Sequence, residues 1–169
     1  MRQLRYFSHS PFCRKIRLVL GEKKLAFEAM QQRPWETGVP LSALPVLTED
    51  DGMVFNDSRA TAEYIDESNA TPPLMPADAR ARAGLRRWIN HFDDCIWQDI
   101  TSVVLQERVF RRYSGDEDRQ PDLSALKRAL QDLREELHGV EEALVRHGWL
   151  GPSLSLADLT AAAHLSVLD

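Results

Sequence analysis

The chain has 169 residues, of which 43% are hydrophobic and 28% are charged, a composition typical of one globular domain or of two small domains sharing an interface. A formal net charge of −5 argues against general nucleic-acid binding. No apolar run approaches the length of a membrane span, and residues 1–10 lack a signal-peptide core. The two cysteines are far apart in sequence and do not suggest a secreted disulfide framework. We therefore expect a cytoplasmic protein without membrane insertion.

The first 70 residues combine strand and helix signals. Alternating polar and apolar side chains predict short strands, a proline suits the first turn of a helix, and an Asp-Asp-Gly turn between apolar runs predicts a hairpin. The predicted elements are a strand over 2–7, a helix over 11–24, a strand over 26–31, a hairpin over 46–55, and a helix from Asp57 or Ser58 to about residue 69.

A proline-rich stretch over residues 71–78 divides the chain. Three prolines between residues 71 and 76 form a stiff linker, which predicts a first domain over 1–70 and a second over 79–169. Beyond the linker the apolar spacing is helical throughout. The predicted elements there are helices over 79–112 and 123–147, a loop over 114–122, and a helix opened by a capping box of Ser155 and Asp158.

Ser10 lies where the first predicted strand gives way to the first helix. The backbone N–H groups and the dipole at a helix N-terminus favour an anion. A hydroxyl there can cap the helix, or it can donate a hydrogen bond to a thiolate and lower the pKa of that thiol. Cys13, one turn further on, is either a nucleophile or a buried, unreactive thiol. The residues alone leave these alternatives open.

Three local motifs together resemble the glutathione transferase superfamily. They are Ser-Pro-Phe-Cys at 10–13, Leu-Pro-Val-Leu at 44–47 and Asp-Ser-Arg-Ala at 57–60. The resemblance implies a mixed α/β plus all-α fold, in which an N-terminal thioredoxin-like domain precedes a helical-bundle domain that has fewer helices here than in the family. It also implies a homodimer formed through the first domain and the helix from Ala79.

The same resemblance assigns roles in glutathione binding. A cis Pro45 is expected to present the N–H and C=O of Leu44 to the cysteinyl part of glutathione. Asp57 is expected to bind the α-ammonium group of the cofactor, and Ser58 its α-carboxylate. Ser10 is then expected to stabilise the thiolate, with Cys13 as the second candidate catalytic residue.

The segment between Trp35 and Pro45 departs from the family pattern. It is too short for a stable two-turn helix plus a return loop, and it is poor in Lys, Arg and Gln. One part of the glutathione site is therefore expected to be missing, and glutathione binding stays open. No metal site is predicted, since His91 and Cys95 have helical ligand spacing without a second pair.

Longer strings at 18–24, 33–36, 106–109 and 154–159 resemble an alphaproteobacterial branch that includes FtsZ-localised, glutathione-transferase-like cell-division proteins. This implies a non-catalytic binding module for FtsZ filaments, with Trp35 as an aromatic anchor and Glu107 and Arg108 as charged contacts. Alternatively, Trp35 packs at the domain interface and the charges face water. The second function considered is an enzyme that conjugates the glutathione thiolate to small electrophiles.

Overall fold

The computed structural model describes residues 1–113 and 120–168. Its N-terminal part is a four-stranded sheet in the order β2-β1-β3-β4, in which β1 pairs in parallel with β2 and antiparallel with β3. The strands are β1 (Gln3–Tyr6), β2 (Glu28–Gln31), β3 (Val46–Thr48) and β4 (Val54–Phe55). The helices of this part are α1 (Pro11–Glu22), α2 (Pro34–Thr37) and α3 (Ser58–Ser68).

Helix α1 begins where the sequence predicts and ends slightly earlier. Pro11 occupies its first turn, and the side chain of Ser10 accepts a hydrogen bond from the backbone N–H of Cys13, which satisfies one of the free donors at the helix start. The helix ends at Glu22 because Lys24 adopts a left-handed conformation with φ of 54°. The predicted end at residue 24 was therefore two residues too long.

The C-terminal part is helical, as predicted. Residues 79–113 form one continuous run whose segments are α4 (Ala79–Asn90), a first π segment (His91–Thr101), α5 (Ser102–Leu105), a second π segment (Gln106–Phe110) and α6 (Arg111–Tyr113). Apolar spacing predicts such a run but does not reveal where its hydrogen bonding changes to the π pattern. Helices α7 (Leu123–His147) and α8 (Leu156–Leu165) complete the fold. Of the loop predicted over 114–122, residues 114–119 lie outside the described residues.

One apolar core joins the sheet to the helices. Its buried members come from both parts of the chain and include Leu4, Ile16, Phe92 and Leu156. The linker contributes Leu74 and Met75 to this core, and their backbone N–H groups donate to the carboxylate of Asp66 on α3. The predicted combination of a thioredoxin-like domain and a helical domain is confirmed. No helix among the described residues is both long and apolar enough to cross a membrane.

Candidate ligand-binding site

A cavity of about 680 Å³ lies between the sheet domain and the helical domain. Its wall is formed by the start of α1, the segment before β3, the start of α3 and the first π segment. Its volume is typical of a small-molecule site. The sequence-predicted site residues that line it are Leu44, Pro45, Asp57 and Ser58.

The peptide bond between Leu44 and Pro45 is cis, as the sequence motif predicts. The N–H of Leu44, however, donates to the backbone oxygen of Leu41 at 3.1 Å. A ligand carbonyl must displace that hydrogen bond before it can pair with Leu44, which costs about 0.5–1.5 kcal/mol. The expected pairing through this N–H is therefore not prearranged, because the short 3₁₀ turn Leu41–Ala43 before Pro45 already uses the donor.

Asp57 caps α3. A single oxygen of its carboxylate accepts from the backbone N–H groups of Arg59 and Ala60, at 2.9 and 2.8 Å. These two amides at the start of α3 are therefore already satisfied by Asp57. Ser58 is 8% exposed, and its hydroxyl has no hydrogen-bond partner among the described residues. It is the polar group of this motif that still needs a ligand or a water.

Ser10 does not line the cavity. Its side chain is 0% exposed, and its oxygen accepts from the N–H of Cys13 at 3.4 Å. The expected contact between this hydroxyl and a thiolate in the cavity does not fit the structure, because the capping geometry and the packing around α1 enclose the group.

Cys13 is also fully buried. Its exposed fraction is 0%, and its sulfur accepts from the N–H of Phe7 at 3.4 Å. Burial raises the pKa of the Cys13 thiol, and the opposing hydrogen bonds from Phe7 and Ser10 do not outweigh it. Of the two alternatives left open by the sequence, this geometry fits the unreactive thiol.

A buried charge cluster adjoins the cavity. Oδ2 of Asp93 lies 2.5 Å from Nζ of Lys15 and 3.0 Å from Nε of Arg59, and Oδ1 lies 3.2 Å from Nε2 of His164. Lys15, Asp93 and His164 are each at most 3% exposed. Arg59 also pairs with Asp94 at the cavity wall. The cluster therefore connects α1, α3, the first π segment and α8.

The ionisation of this cluster follows from burial and pairing. Burial alone would raise the pKa of Asp93, but hydrogen bonds from His164 and Lys15 and the charge of Lys15 lower it to about 2. Burial lowers the pKa of Lys15 and of His164, partly opposed in both by Asp93. The carboxyl group of Asp93 is therefore ionised at neutral pH, where it pairs with the cations Lys15 and Arg59.

Trp35 packs between the two domains. Its ring stacks on Tyr113 with a centroid separation of 4.2 Å and an interplanar angle of 4°, and it meets Phe7 edge-on at 5.6 Å. Trp35 is half-buried, whereas Tyr113 is 48% exposed. The structure therefore agrees with the interface alternative for Trp35, yet leaves part of the aromatic stack accessible.

The two predicted charged contacts differ in placement. Glu107 is 7% exposed, and its carboxylate accepts from Nε of Arg111 and from the N–H of Asp122, each at 2.8 Å. It does not fit the expected role of a surface contact, because folding already satisfies its charge inside the helical domain. Arg108 is exposed and donates to the backbone oxygen of Leu168 at 3.3 Å.

The sequence reasoning missed the charge cluster and the aromatic wall of the cavity. Phe12 and Trp97 line it and contact each other edge-on at 4.8 Å. A signal for Lys15 was present, since it lies four residues before Val19 on the apolar face of α1, where a charge needs a partner. His164 likewise lies inside an apolar helix. Among residues 1–113 and 120–168, no group of three or more His, Cys, Asp or Glu side chains is arranged to hold a metal ion.

Comparison with known proteins shows the family of the chain. Residues 9–68 match the family model of the glutathione S-transferase N-terminal domain. The chain is 38% identical to FtsZ-localized protein A of Caulobacter vibrioides over 99% of its own length and 77% of that protein. The chain belongs to the glutathione S-transferase superfamily.

Solved structures of this superfamily have the same fold. FzlA from C. crescentus superposes with a TM-score of 0.89 at 37% identity, covering 99% of this chain and 78% of that one. A glutathione S-transferase from Rhodospirillum rubrum F11 also gives a TM-score of 0.89, at 32% identity over 100% of this chain and 78% of that one. A more distant transferase from Methylobacillus flagellatus KT, 26% identical with a TM-score of 0.74, was solved with glutathione bound.

Proposed function

We propose that this glutathione S-transferase-like protein is a cytoplasmic, non-catalytic binding module that engages FtsZ filaments in cell division. The observation that carries the proposal is the burial of Ser10, whose exposed fraction is 0%. A transferase of this family type needs that hydroxyl beside the reacting sulfur, and here it is enclosed. The similarity to an FtsZ-localized protein over 99% of the chain supplies the partner.

The accessible part of the Trp35–Tyr113 stack is the proposed contact surface, and Arg108, an exposed side chain of the second π segment, is proposed as its charged contact. Aromatic and arginine side chains dominate the energy of protein interfaces, because they bury large areas and bind carboxylates through planar donors. Trp35 is held by Phe7 and Tyr113, so it loses little conformational entropy on binding. We leave Glu107 out of this surface because its carboxylate is already paired.

Co-sedimentation with GTP-assembled FtsZ polymers tests the proposal. The wild type is expected to pellet with the polymers, and Trp35→Ala to weaken the apparent affinity about tenfold or more. Trp149→Ala is the matched control, since Trp149 is 42% exposed and belongs to the segment between α7 and α8. A wild-type protein that stays in the supernatant overturns the proposal. Equal binding by the two variants overturns the role of Trp35.

A homodimer is part of the proposal, formed through the first domain and the helix from Ala79. Val54 on strand β4 and Met53 just before the strand are each 57% exposed, and a second copy would cover such apolar side chains. Light scattering that gives the mass of one chain at micromolar concentration would contradict this part without affecting FtsZ binding.

Glutathione conjugation is the second candidate function. The hydroxyl of Ser58 in the cavity wall, which has no partner among the described residues, favours it. Calorimetric titration with glutathione tests it. Binding that is lost in Ser58→Ala but kept in Ser42→Ala, together with conjugation of an aryl halide, would support the enzyme. If glutathione does not bind, the enzyme function is contradicted and the FtsZ-binding module is the remaining proposal.

A further inference from the structure

We propose that α7 carries a self-association surface, on which two copies of this chain pack their α7 helices side by side in antiparallel orientation. The surface is a row of leucines on α7, which we call the leucine stripe: Leu123, Leu130, Leu137 and Leu144. The inference does not depend on FtsZ binding or on the homodimer proposed above, because neither of them uses a residue of α7.

The apolar residues of α7 follow a heptad pattern. The leucine stripe repeats every seven residues, and Leu126, Leu133 and Val140 lie three residues after successive members of the stripe. Apolar residues that alternate in this way at steps of three and four are typical of a helix packed along its length against another helix. The pattern covers nearly the whole of α7 (Leu123–His147). It therefore predicts an extended helix-helix contact.

The fold of one chain covers only one side of this pattern. Val140 is 5% exposed and belongs to the apolar core. The leucine stripe lies further out, since Leu123, Leu130 and Leu144 are 75%, 50% and 41% exposed, and Leu137 is half-buried. A row of large apolar side chains in contact with water favours a partner that covers it.

Two side chains of opposite charge border the leucine stripe. Arg134 follows Leu130 by four residues and Glu141 follows Leu137 by four, so both lie on the same side of the stripe. Both are exposed, and neither forms an ion pair within the part of the chain that the structure describes. Each is therefore available to a charged group of a partner.

These charges favour an antiparallel second copy with its two-fold axis at Leu137. Residues equally far before and after the axis then meet, so Leu130 contacts Leu144 of the second copy. Arg134 lies within about 1.5 Å of Glu141 of the second copy along the helix direction, and symmetry forms this ion pair twice. In a parallel pair the same two residues stay about 10 Å apart along the helices and cannot pair.

The leucine stripe fits a second copy better than it fits a membrane. Binding to an anionic bilayer favours Lys and Arg at the border of an apolar helix face, whereas Glu141 places a carboxylate there. A second copy supplies a cation opposite this carboxylate and a carboxylate opposite Arg134. The surface is thus complementary to itself in both apolar contact and charge.

Cysteine cross-linking of the full chain tests the orientation of the two helices. All variants carry Cys95→Ser, which removes the exposed native thiol. A mixture of the Leu130→Cys and Leu144→Cys variants is expected to form a disulfide-linked dimer under mild oxidation, because the two positions meet. Either variant alone is expected to cross-link about tenfold more slowly, since like positions are about 21 Å apart along the helices. A mixture that cross-links no faster than the separate variants overturns the proposal.

Charge reversal with sedimentation analysis tests the ion pairs independently. Over micromolar to millimolar concentrations, single chains or the homodimers proposed above are expected to associate further through α7. Arg134→Glu should weaken this step about tenfold, because each of the two ion pairs becomes a pair of carboxylates. Combining it with Glu141→Arg should restore the wild-type affinity within about twofold, since the pairs form again with reversed sign.

Glu135→Arg is the matched control for the charge reversals. Glu135 is exposed on α7, on the side that faces Cys95 rather than beside the leucine stripe, so this variant should associate like the wild type. Circular dichroism checks that every variant keeps its helix content. The proposal is overturned by a wild type that shows no such step at millimolar concentration, or by a double variant that stays as weak as Arg134→Glu.

Discussion

The Nζ atom of Lys15 lies 2.5 Å from Oδ2 of Asp93, and both side chains are buried where the thioredoxin-like domain meets the helical domain. Arg59 approaches the same oxygen and His164 the other one. One carboxylate therefore connects four elements that are distant in sequence. Removal of a partner from such a buried pair leaves the other charge without compensation.

The first prediction concerns this carboxylate. Asp93→Asn should lower the free energy of unfolding by about 3–5 kcal/mol, because the ammonium group of Lys15 stays buried without its counter-charge. Asp94→Asn is the control, since its pair with Arg59 is largely exposed and should contribute less than about 1 kcal/mol. Urea denaturation followed by circular dichroism measures both. Similar losses in the two variants would show that Lys15 finds another partner.

The second prediction is a dependence of stability on pH. Burial lowers the pKa of His164 below its ordinary value of 6.5, although Asp93 opposes the shift. The unfolded chain therefore takes up this proton first as the pH falls. The stabilisation contributed by neutral His164 is complete above pH 6.5 and declines below it. It is lost as the pH falls through the lower pKa that His164 has in the folded state.

Urea midpoints of the wild type and His164→Gln at about pH 7.5 and about pH 5.5 measure this effect. The wild type should lose more stability between the two values than the variant does. Asp93 should not contribute to the difference, because pairing lowers its pKa to about 2. If His164→Gln loses as much stability as the wild type between the two pH values, other titratable groups cause the pH dependence.

The third prediction concerns the thiols. Cys95 is exposed and Cys13 is buried with a raised pKa. Under native conditions a thiol reagent should therefore modify a single cysteine rapidly, and Cys95→Ser should remove that reaction. Both cysteines should react in denaturant. Rapid labelling of the folded Cys95→Ser variant would show that Cys13 is accessible and would reopen its catalytic role.

The fourth prediction concerns the start of α8. The carboxylate of Asp158 accepts hydrogen bonds from the N–H and hydroxyl of Ser155 and from the N–H of Leu150, at 2.6–2.9 Å. Ser155→Ala should cost about 1 kcal/mol of stability. Asp158→Ala should cost more, because it leaves two backbone donors unsatisfied. Ser153→Ala, an exposed neighbour, should change stability by less than about 0.5 kcal/mol.

Local signals in the sequence predicted much of the framework. Asp57 and Ser155 mark helix starts because a capping side chain bonds to amides two or three residues away. Helix α7 matches its predicted bounds of 123 and 147, since its apolar spacing repeats over many turns. The domain combination and the cis bond before Pro45 followed from the family motifs.

The details of the candidate site could not be predicted in the same way. Lys15 and Asp93 are 78 residues apart, and no local pattern pairs them. Whether Ser10 faces a cavity depends on the tertiary packing around α1, and the donor of Leu44 is taken by a short turn that only the folded segment defines. The positions of helices and strands could therefore be predicted from the sequence, whereas the contacts within the candidate site could not be predicted without the three-dimensional structure.

The proline-rich linker is hydrogen-bonded to both halves of the chain. Nζ of Lys23 holds the backbone oxygens of Asn69 and Pro72, at 2.6 and 2.5 Å, and Leu156 of α8 donates to the backbone oxygen of Leu74 at 2.9 Å. These hydrogen bonds favour one orientation of the two halves before a partner binds. For the proposed FtsZ contact, this means that little of the interaction energy is needed to order the two halves of the protein.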